Sequence, residues 1–354
     1  MDRRTFALSL AAASLLPGCA TAPRSRVFMG DSHSHYAMEL PGLGKPHDLA
    51  KEMKESGTTL LAWAMVDDLL WLGVRPTGIY QAKEPQPGEL WRFFHASLAK
   101  HNAMLAKWGL QKALTPADVD WALAGEPRIV LAVESANFLE GDASRVAQAQ
   151  ALGVRHLQLV HYIHSPLGDH QTQKPDHAGL TQSGREVIVQ CKRHGILVDL
   201  AHSSPAMVEG ALDAAPGVMI WSHSWIGRQA YTWDAPGYLA RSLPLPLARK
   251  IAGRGGVMGL WTVRVASDPL YTVRDVKSFA DETMRMCDLV GPEHVCFGTD
   301  MEGAGPNPVL ADYADLRKVA DNLAQRGLAD SVLQGLCIGN YARALKHAMS
   351  EGKA

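Results

Sequence analysis

The sequence predicts an α/β chain folded as a (β/α)8 barrel, and two observations predict it. Eight short apolar runs rich in β-branched residues alternate with amphipathic stretches, the pattern of a parallel sheet covered on both faces. Most of these runs end in a histidine, aspartate or glutamate. A barrel whose strands all open on one face would bring those ends together. The 354 residues accommodate one such barrel with insertions.

Before the barrel comes an address. The chain opens Met1-Asp2-Arg3-Arg4-Thr5-Phe6-Ala7-Leu8, and its apolar run from Phe6 to Leu16 is short. A bilayer core needs about 20 residues, so this run suits a signal peptide. The arginine pair resembles a twin-arginine export signal, and Leu16-Pro17-Gly18-Cys19 resembles a lipobox. Residues 1–18 are expected to be removed and Cys19 to be lipidated. The acyl chains would then hold the protein on the periplasmic side of a bacterial cell envelope. Residues 19–26 read as a linker, 27–349 as the barrel and 350–354 as a tail.

The expected strands are Arg26–Asp31, Thr58–Met65, Arg128–Glu134, Val154–His161, Ile196–His202, Gly217–His223, Gly255–Thr262 and His294–Asp300. Helices are expected over Leu49–Ser56, Trp91–Leu123, Ser144–Leu152, Gln182–His194, Pro205–Ala214, Leu245–Ala252, Val273–Leu289 and Tyr313–Met349. No repeat of fixed period interrupts this order.

Composition narrows the function. A net charge of −1 gives no global reason to bind nucleic acid. Five cysteines do not make a disulfide scaffold, and Cys191, Cys287, Cys296 and Cys337 sit in apolar stretches without ligand spacing. Fifteen histidines raise the prospect of metal or acid–base chemistry.

The strand ends carry that chemistry. The first runs into Asp31-Ser32-His33-Ser34-His35, where a period of two puts both imidazoles on one side. His33 and His35 could then share an ion. Glu134, at the end of the third strand, has two oxygens and could bridge two ions. His202 and His223, on neighbouring strands, could complete the second. Nitrogen and carboxylate ligands without thiolate fit zinc best, two ions per chain, with manganese and cobalt as alternatives. Such a pair, about 3.5–4 Å apart, would hold a bridging hydroxide, with Asp300 placed to shuttle its proton.

These stretches together resemble the membrane (renal-type) dipeptidases, metal-dependent hydrolases of the amidohydrolase-like TIM-type barrels. The likeness runs from about Val27 to Met349. It rests on Asp31-Ser-His-Ser-His35, the Glu134 strand, Leu159-Val-His161 with Ser165-Pro-Leu167, Gly179-Leu-Thr181, Val198-Asp-Leu-Ala-His-Ser203, Trp221-Ser-His-Ser224, Ala240-Arg-Ser-Leu-Pro244 and Phe297-Gly-Thr-Asp300 with Gly303. The resemblance implies that His33, Glu134, His202 and His223 bind two zinc ions. It implies that His161 polarises the scissile carbonyl, that Arg241 holds the substrate carboxylate, and that Asp300 is the acid beside the bridging water. The chain departs from the family in four places, one of them the stretch between His161 and Gly179, which holds His164, His170 and His177 in a sequence unlike the usual one. Its first motif is His-x-His where the family has His-x-Asp, so His35 is read as a replacement ligand. Asp300-Met-Glu-Gly303 replaces Asp-aromatic-Asp-Gly, and the family's pocket-lining aromatic position on the seventh strand falls near Trp261, which lacks a tyrosine hydroxyl.

Other polar residues read as ordinary. Asp67-Asp68 end the second strand, where they could touch substrate, but read first as a solvated loop pair. His164, His170 and His177 look like loop residues, and Asp199 is either a structural acid or a group orienting a neighbour. Trp225, Tyr231 and Trp233 are candidates for a pocket wall or lid. The expected function is a zinc dipeptidase acting on dipeptides with a free carboxylate. Another binuclear amidohydrolase, acting on lactones or acyl-amino acids, and a non-catalytic peptide- or metal-binding lipoprotein are the alternatives. The sequence leaves the oligomeric state open.

Overall fold

A computed structural model describes residues 27–37, 47–75, 78–303 and 308–352. The export signal, the lipobox with Cys19 and the linker lie outside the described residues, as do the last two residues of the tail.

Eight parallel strands follow one another in chain order through a nine-stranded sheet: β1 (Met29–Ser34), β2 (Thr58–Val66), β3 (Arg128–Glu134), β4 (Val154–Gln158), β5 (Leu197–Asp199), β6 (Met219–Ser224), β7 (Met258–Leu260) and β8 (Val295–Phe297), with a two-residue strand, Gln111–Lys112, paired to β3 off this path. Period two decides what each residue meets. On β2, Leu61, Trp63 and Met65 join one apolar cluster, while Leu60, Ala62 and Ala64 join another with Tyr341 and Leu345 of the last helix, Asn340–Glu351.

Beyond the ladders, β1 and β8 are tied just past their ends. The backbone N–H of Asp300 donates to the His33 carbonyl at 2.9 Å, and that of His35 to the Met301 carbonyl at 3.0 Å. Asp31 tightens the same seam, accepting from the Thr299 N–H at 2.9 Å, the Thr299 hydroxyl at 2.5 Å and the Tyr313 hydroxyl at 3.0 Å. Burial outweighs these bonds and raises the Asp31 carboxyl to about 6. Small residues let β1, β6, β7 and β8 approach across the barrel. The Ser32 hydroxyl reaches the carbonyls of Ser222 and Phe297 at 2.8 and 3.0 Å. A Cβ on Gly298 would lie 1.6 Å from the Ser222 oxygen, so only glycine fits there.

Two expectations about the elements are corrected, and one element is new. The helix expected over Trp91–Leu123 is two, Glu89–Trp108 and Pro116–Leu123. Gly109 closes the first in the left-handed region, and Thr115 opens the second with a capping box and Pro116 at its first turn. The helix expected over Tyr313–Met349 is broken near Gly327 into Tyr313–Gln325, Asp330–Gln334, a π turn over Gly335–Gly339 and Asn340–Glu351. A hairpin of Leu72–Arg75 and Gly78–Gln81, which the sequence reading did not contain, stands after β2.

Candidate active site

The strand ends converge on one carboxylate. Nε2 of five histidines surrounds Glu134: His33, His161, His202 and His223 lie 3.5, 3.4, 3.2 and 3.5 Å from Oε1, and His35 lies 3.1 Å from Oε2. All six side chains are buried. His33 and His223 sit within β1 and β6, and Glu134 ends β3. His161, His202 and Asp300 each stand three residues past a strand, not at its last residue as the sequence suggested. His202 and Asp300 pay for this with left-handed backbones, φ 69° and 53°. Non-glycine residues in this region cost about 1–3 kcal/mol each and are held there by their surroundings.

Hydrogen bonds on the outer ring nitrogens set the tautomers. Nδ1 of His35 lies 2.7 Å from the Ala64 carbonyl, which can only accept, so Nδ1 carries a proton. Nδ1 of His161 lies 2.7 Å from Oδ1 of Asp68. The Asp68 side chain also accepts from the backbone N–H of Tyr162 at 3.3 Å. Asp67 and Asp68 are therefore buried, not a solvated pair. An acid following a barrel strand faces the site, as Asp300 does, and that rule was the signal for Asp68.

Charge is distributed unevenly around the ring. Burial opposes a charge on His35, yet the Asp300 and Glu134 carboxylates outweigh it and push the imidazole up to about 10. His161 is raised also, because Asp68 and Glu134 together outweigh burial. His202 and His223 fall well below the ordinary imidazole range, first through burial and then through Arg241 and His33 respectively. Burial would raise Glu134, but His161, His33 and the bond to His202 hold it well below the usual carboxylate range.

The donors suit metal ions. Nε2 atoms face each other at 3.2 Å (His33 and His35) and 3.1 Å (His202 and His223). With Nε2 deprotonated on both rings, a cation bound to a pair would be held by two imidazole lone pairs at once. Among the described residues, three groups bring ligand atoms within 4.8 Å of one another. They are His33–His35–Glu134, Glu134–His202–His223 and His33–Asp199–His223, and the first two share Glu134. Asp199 is already engaged: Oδ1 accepts from the N–H of Ala201 and Ser222, both at 3.0 Å, and Oδ2 meets His156 at 3.2 Å.

Arg241 ends a 3-10 turn, Leu239–Arg241, in the loop after β6. It is buried, with its guanidinium carbon 5.2 Å from the Trp261 ring centre. Nε donates to Oε1 of Gln171 at 3.2 Å, Nη1 lies 2.5 Å from Nε2 and 3.0 Å from Nδ1 of His202, and Nη2 has no hydrogen-bond partner. Gln171 also donates through Nε2 to the Ser242 carbonyl at 3.2 Å, and its backbone N–H donates to the His202 carbonyl at 2.7 Å. No sequence pattern marks this loop glutamine.

The cavity over the ring holds about 80 Å³ and is lined by His35, Glu134, His161, His202, Arg241 and Asp300 together with apolar side chains. Trp261 and Tyr238 are in its wall. Of the expected wall residues, Trp225 is buried against Trp261, while Tyr231 and Trp233 line other cavities. His170 stays in a loop, buried with its ring nitrogens 3.1 and 2.8 Å from Thr172 and Gln173, and His164 pairs with Asp176 at 2.5 Å.

The profile of one family, membrane dipeptidase (peptidase family M19), matches residues 94–353. Dipeptidase aclJ of Aspergillus oryzae is 27% identical over 224 residues, 61% of this chain and 50% of its own. Human dipeptidase 3 is 24% identical over 223 residues, 61% of this chain and 44% of its own. The match thus spans about half the length of these relatives. Among solved structures, a metallopeptidase from Rhodobacter sphaeroides, liganded with a phosphinate mimic of the dipeptide L-Ala-D-Ala, superposes with a TM-score of 0.75 at 18% identity, covering 92% of this chain and 100% of that one. The probable dipeptidase PvdM of Pseudomonas aeruginosa does so at 0.73 and 18%, covering 92% and 96%. At such identities the likeness establishes the fold.

Proposed function

The chain belongs to the membrane dipeptidase family, and from that premise we propose that it is a zinc-dependent dipeptidase cleaving dipeptides with a free C-terminal carboxylate. The observation that carries this reading is the ring of five imidazoles around Glu134. His33, His35 and Glu134 would hold one ion, and Glu134, His202 and His223 the other. Bound there, two ions would polarise the scissile carbonyl and lower the pKa of a water.

The side chains do the rest. Arg241, with one nitrogen unpartnered, holds the C-terminal carboxylate of the substrate through charge-assisted bonds. A longer peptide has no carboxylate at that distance. His161, backed by Asp68, stabilises the negative charge that develops on the carbonyl oxygen. Asp300, 3.3 Å from Nε2 of His35, takes the proton of the attacking water and returns it to the leaving amine.

The test is a substrate panel on zinc-loaded protein: free-acid dipeptides, their C-terminal amides, acyl-amino acids and lactones. Free-acid dipeptides should be cleaved fastest, and chelation should abolish turnover until zinc is restored. Amides cleaved as fast as free acids would overturn the Arg241 assignment, and preference for a lactone or acyl-amino acid would overturn the dipeptidase reading.

We also propose export through residues 1–18 and anchoring by lipid on Cys19. The Arg3-Arg4 pair and Leu16-Pro17-Gly18-Cys19 support this. Among the described residues, no helix is long and apolar enough to cross a membrane. Cys19→Ser should move the protein from the membrane fraction to the soluble one.

A further inference from the structure

The cavity over the ring is bounded by two kinds of group. Its ionisable side chains, apart from two tyrosines, all belong to the ion ring, its acid and the carboxylate clamp. The remaining described wall is largely hydrocarbon: Val66, Leu69, Leu72, Ile79 and Val263, with aromatic rings.

Two of those five come from the hairpin that stands outside the barrel. In its antiparallel register Leu72 pairs with Gln81 and Val74 with Ile79. These four side chains therefore share one face. Leu72 and Ile79 turn that face to the cavity, and Gln81 pins it by accepting from the His164 N–H at 2.8 Å. Tyr80 covers Gly73 on the opposite face. Past Ile79, Tyr162 and Tyr238 lies an outer cavity of about 320 Å³ with the same three residues in its wall, and its charged residues, Arg75 and Asp234, do not line the inner cavity.

We propose that the site selects dipeptides with uncharged, apolar side chains, and that Leu72 and Ile79 set this selection. The proposal rests on the dipeptidase reading above. A substrate side chain entering the inner cavity leaves water. An apolar one meets carbon and gains from burial. A charged one meets no free counter-charge among the described lining of the inner cavity. Arg241 is taken by the substrate's own carboxylate, and Glu134 and Asp300 serve the ions and the reacting water. A charge buried without a partner is strongly disfavoured, far more than a missing methylene.

The experiment compares kcat/KM on full-length zinc-loaded protein for Ala-Ala, Leu-Ala and Ala-Leu against Asp-Ala, Ala-Asp, Lys-Ala and Ala-Lys, each with an L or D second residue. The best apolar substrate should exceed every charged one by at least about 100-fold. Ile79→Arg should raise kcat/KM for Asp-containing dipeptides at least about tenfold and lower it for Leu-containing ones. Leu72→Arg, on the same hairpin face, repeats the test should Ile79→Arg fail to fold. Charged and apolar dipeptides cleaved about equally would overturn the proposal and leave the dipeptidase reading intact. No cleavage of any dipeptide by protein that holds its zinc would overturn that reading, and the proposal with it.

Discussion

Nδ1 of His161 and Oδ1 of Asp68 meet at 2.7 Å, and both side chains are buried. The carboxylate fixes the ring's orientation and leaves Nε2 directed at Glu134, 3.4 Å away. Together with Glu134 it also favours the charged imidazole against burial. An imidazolium has a proton on Nε2 to offer a developing oxyanion, and a neutral ring bonded to Asp68 through Nδ1–H does not. Asp68→Asn removes that support without changing the size of the side chain. Activity should fall about 10- to 100-fold, the usual cost of losing such a partner. Metal content and the circular dichroism spectrum should stay as in the parent. Activity unchanged in Asp68→Asn would show that His161 works without this partner.

Gln171 offers a second test, because it steers Arg241 without being charged. Gln171→Glu would set a carboxylate against the guanidinium and draw its charge away from the substrate. KM for free-acid dipeptides should rise about 10- to 150-fold, the worth of a charge-assisted hydrogen bond. The kcat should move little, and amidated dipeptides should be indifferent to the change. An equal loss on both substrate types would mean that Gln171 acts on the ring through its bond to the His202 backbone instead.

How much of this was legible beforehand depended on the kind of signal. The barrel was readable because eight β-branched runs in order admit few topologies, and a shared open face then required His33, Glu134, His223 and Asp300 to converge. The exact ends of strands were not readable. His161 and His202 lie three residues past theirs, and hydrophobicity does not register where a ladder stops. Asp68 was missed because two adjacent acids look solvated, and their burial comes from the loops packed over β2. The hairpin was missed because its exposed Val74 and half-buried Leu72 and Ile79 lack a clean alternation. Gln171 had no signal at all.

Stability should fall in mild acid through His101. This residue lies in Glu89–Trp108, its Nδ1 donating to the Ser97 carbonyl at 2.8 Å and its ring 4.6 Å from Trp63. Burial depresses it from 6.5 to about 4. A folded pKa below the unfolded one means that the unfolded chain binds the extra proton first. The stability is therefore fully present above about 6.5 and is lost as pH falls toward 4. The loss is on the order of a few kcal/mol. Urea midpoints followed by tryptophan fluorescence at pH 7 and pH 4.5 should differ less in His101→Gln than in the parent. An equal difference in both would remove His101 as a cause.

The two ions should differ in their response to pH, and His35 is the reason. With Nδ1 facing the Ala64 carbonyl, the second proton of His35 lies on Nε2, between Asp300 and Glu134. That is the atom an ion needs. Its pKa, raised from 6.5 to about 10, keeps the proton in place throughout the neutral range. Binding an ion at His33, His35 and Glu134 must therefore expel one proton, and affinity should climb about tenfold per pH unit up to about 10. His202 and His223 are neutral already, so an ion at Glu134, His202 and His223 expels none from them. The ion-free fold carries the opposite sign. A raised imidazole pKa stabilises it fully below about 6.5, and that contribution is lost as pH rises toward 10. Zinc titrations at pH 7 in buffers of different ionisation enthalpy should show about one proton released for one ion and about none for the other. His35→Ala should abolish that release along with one ion. Two ions that bind with the same proton count would mean that His35 is neutral before metal arrives, and the asymmetry assigned to it would be wrong.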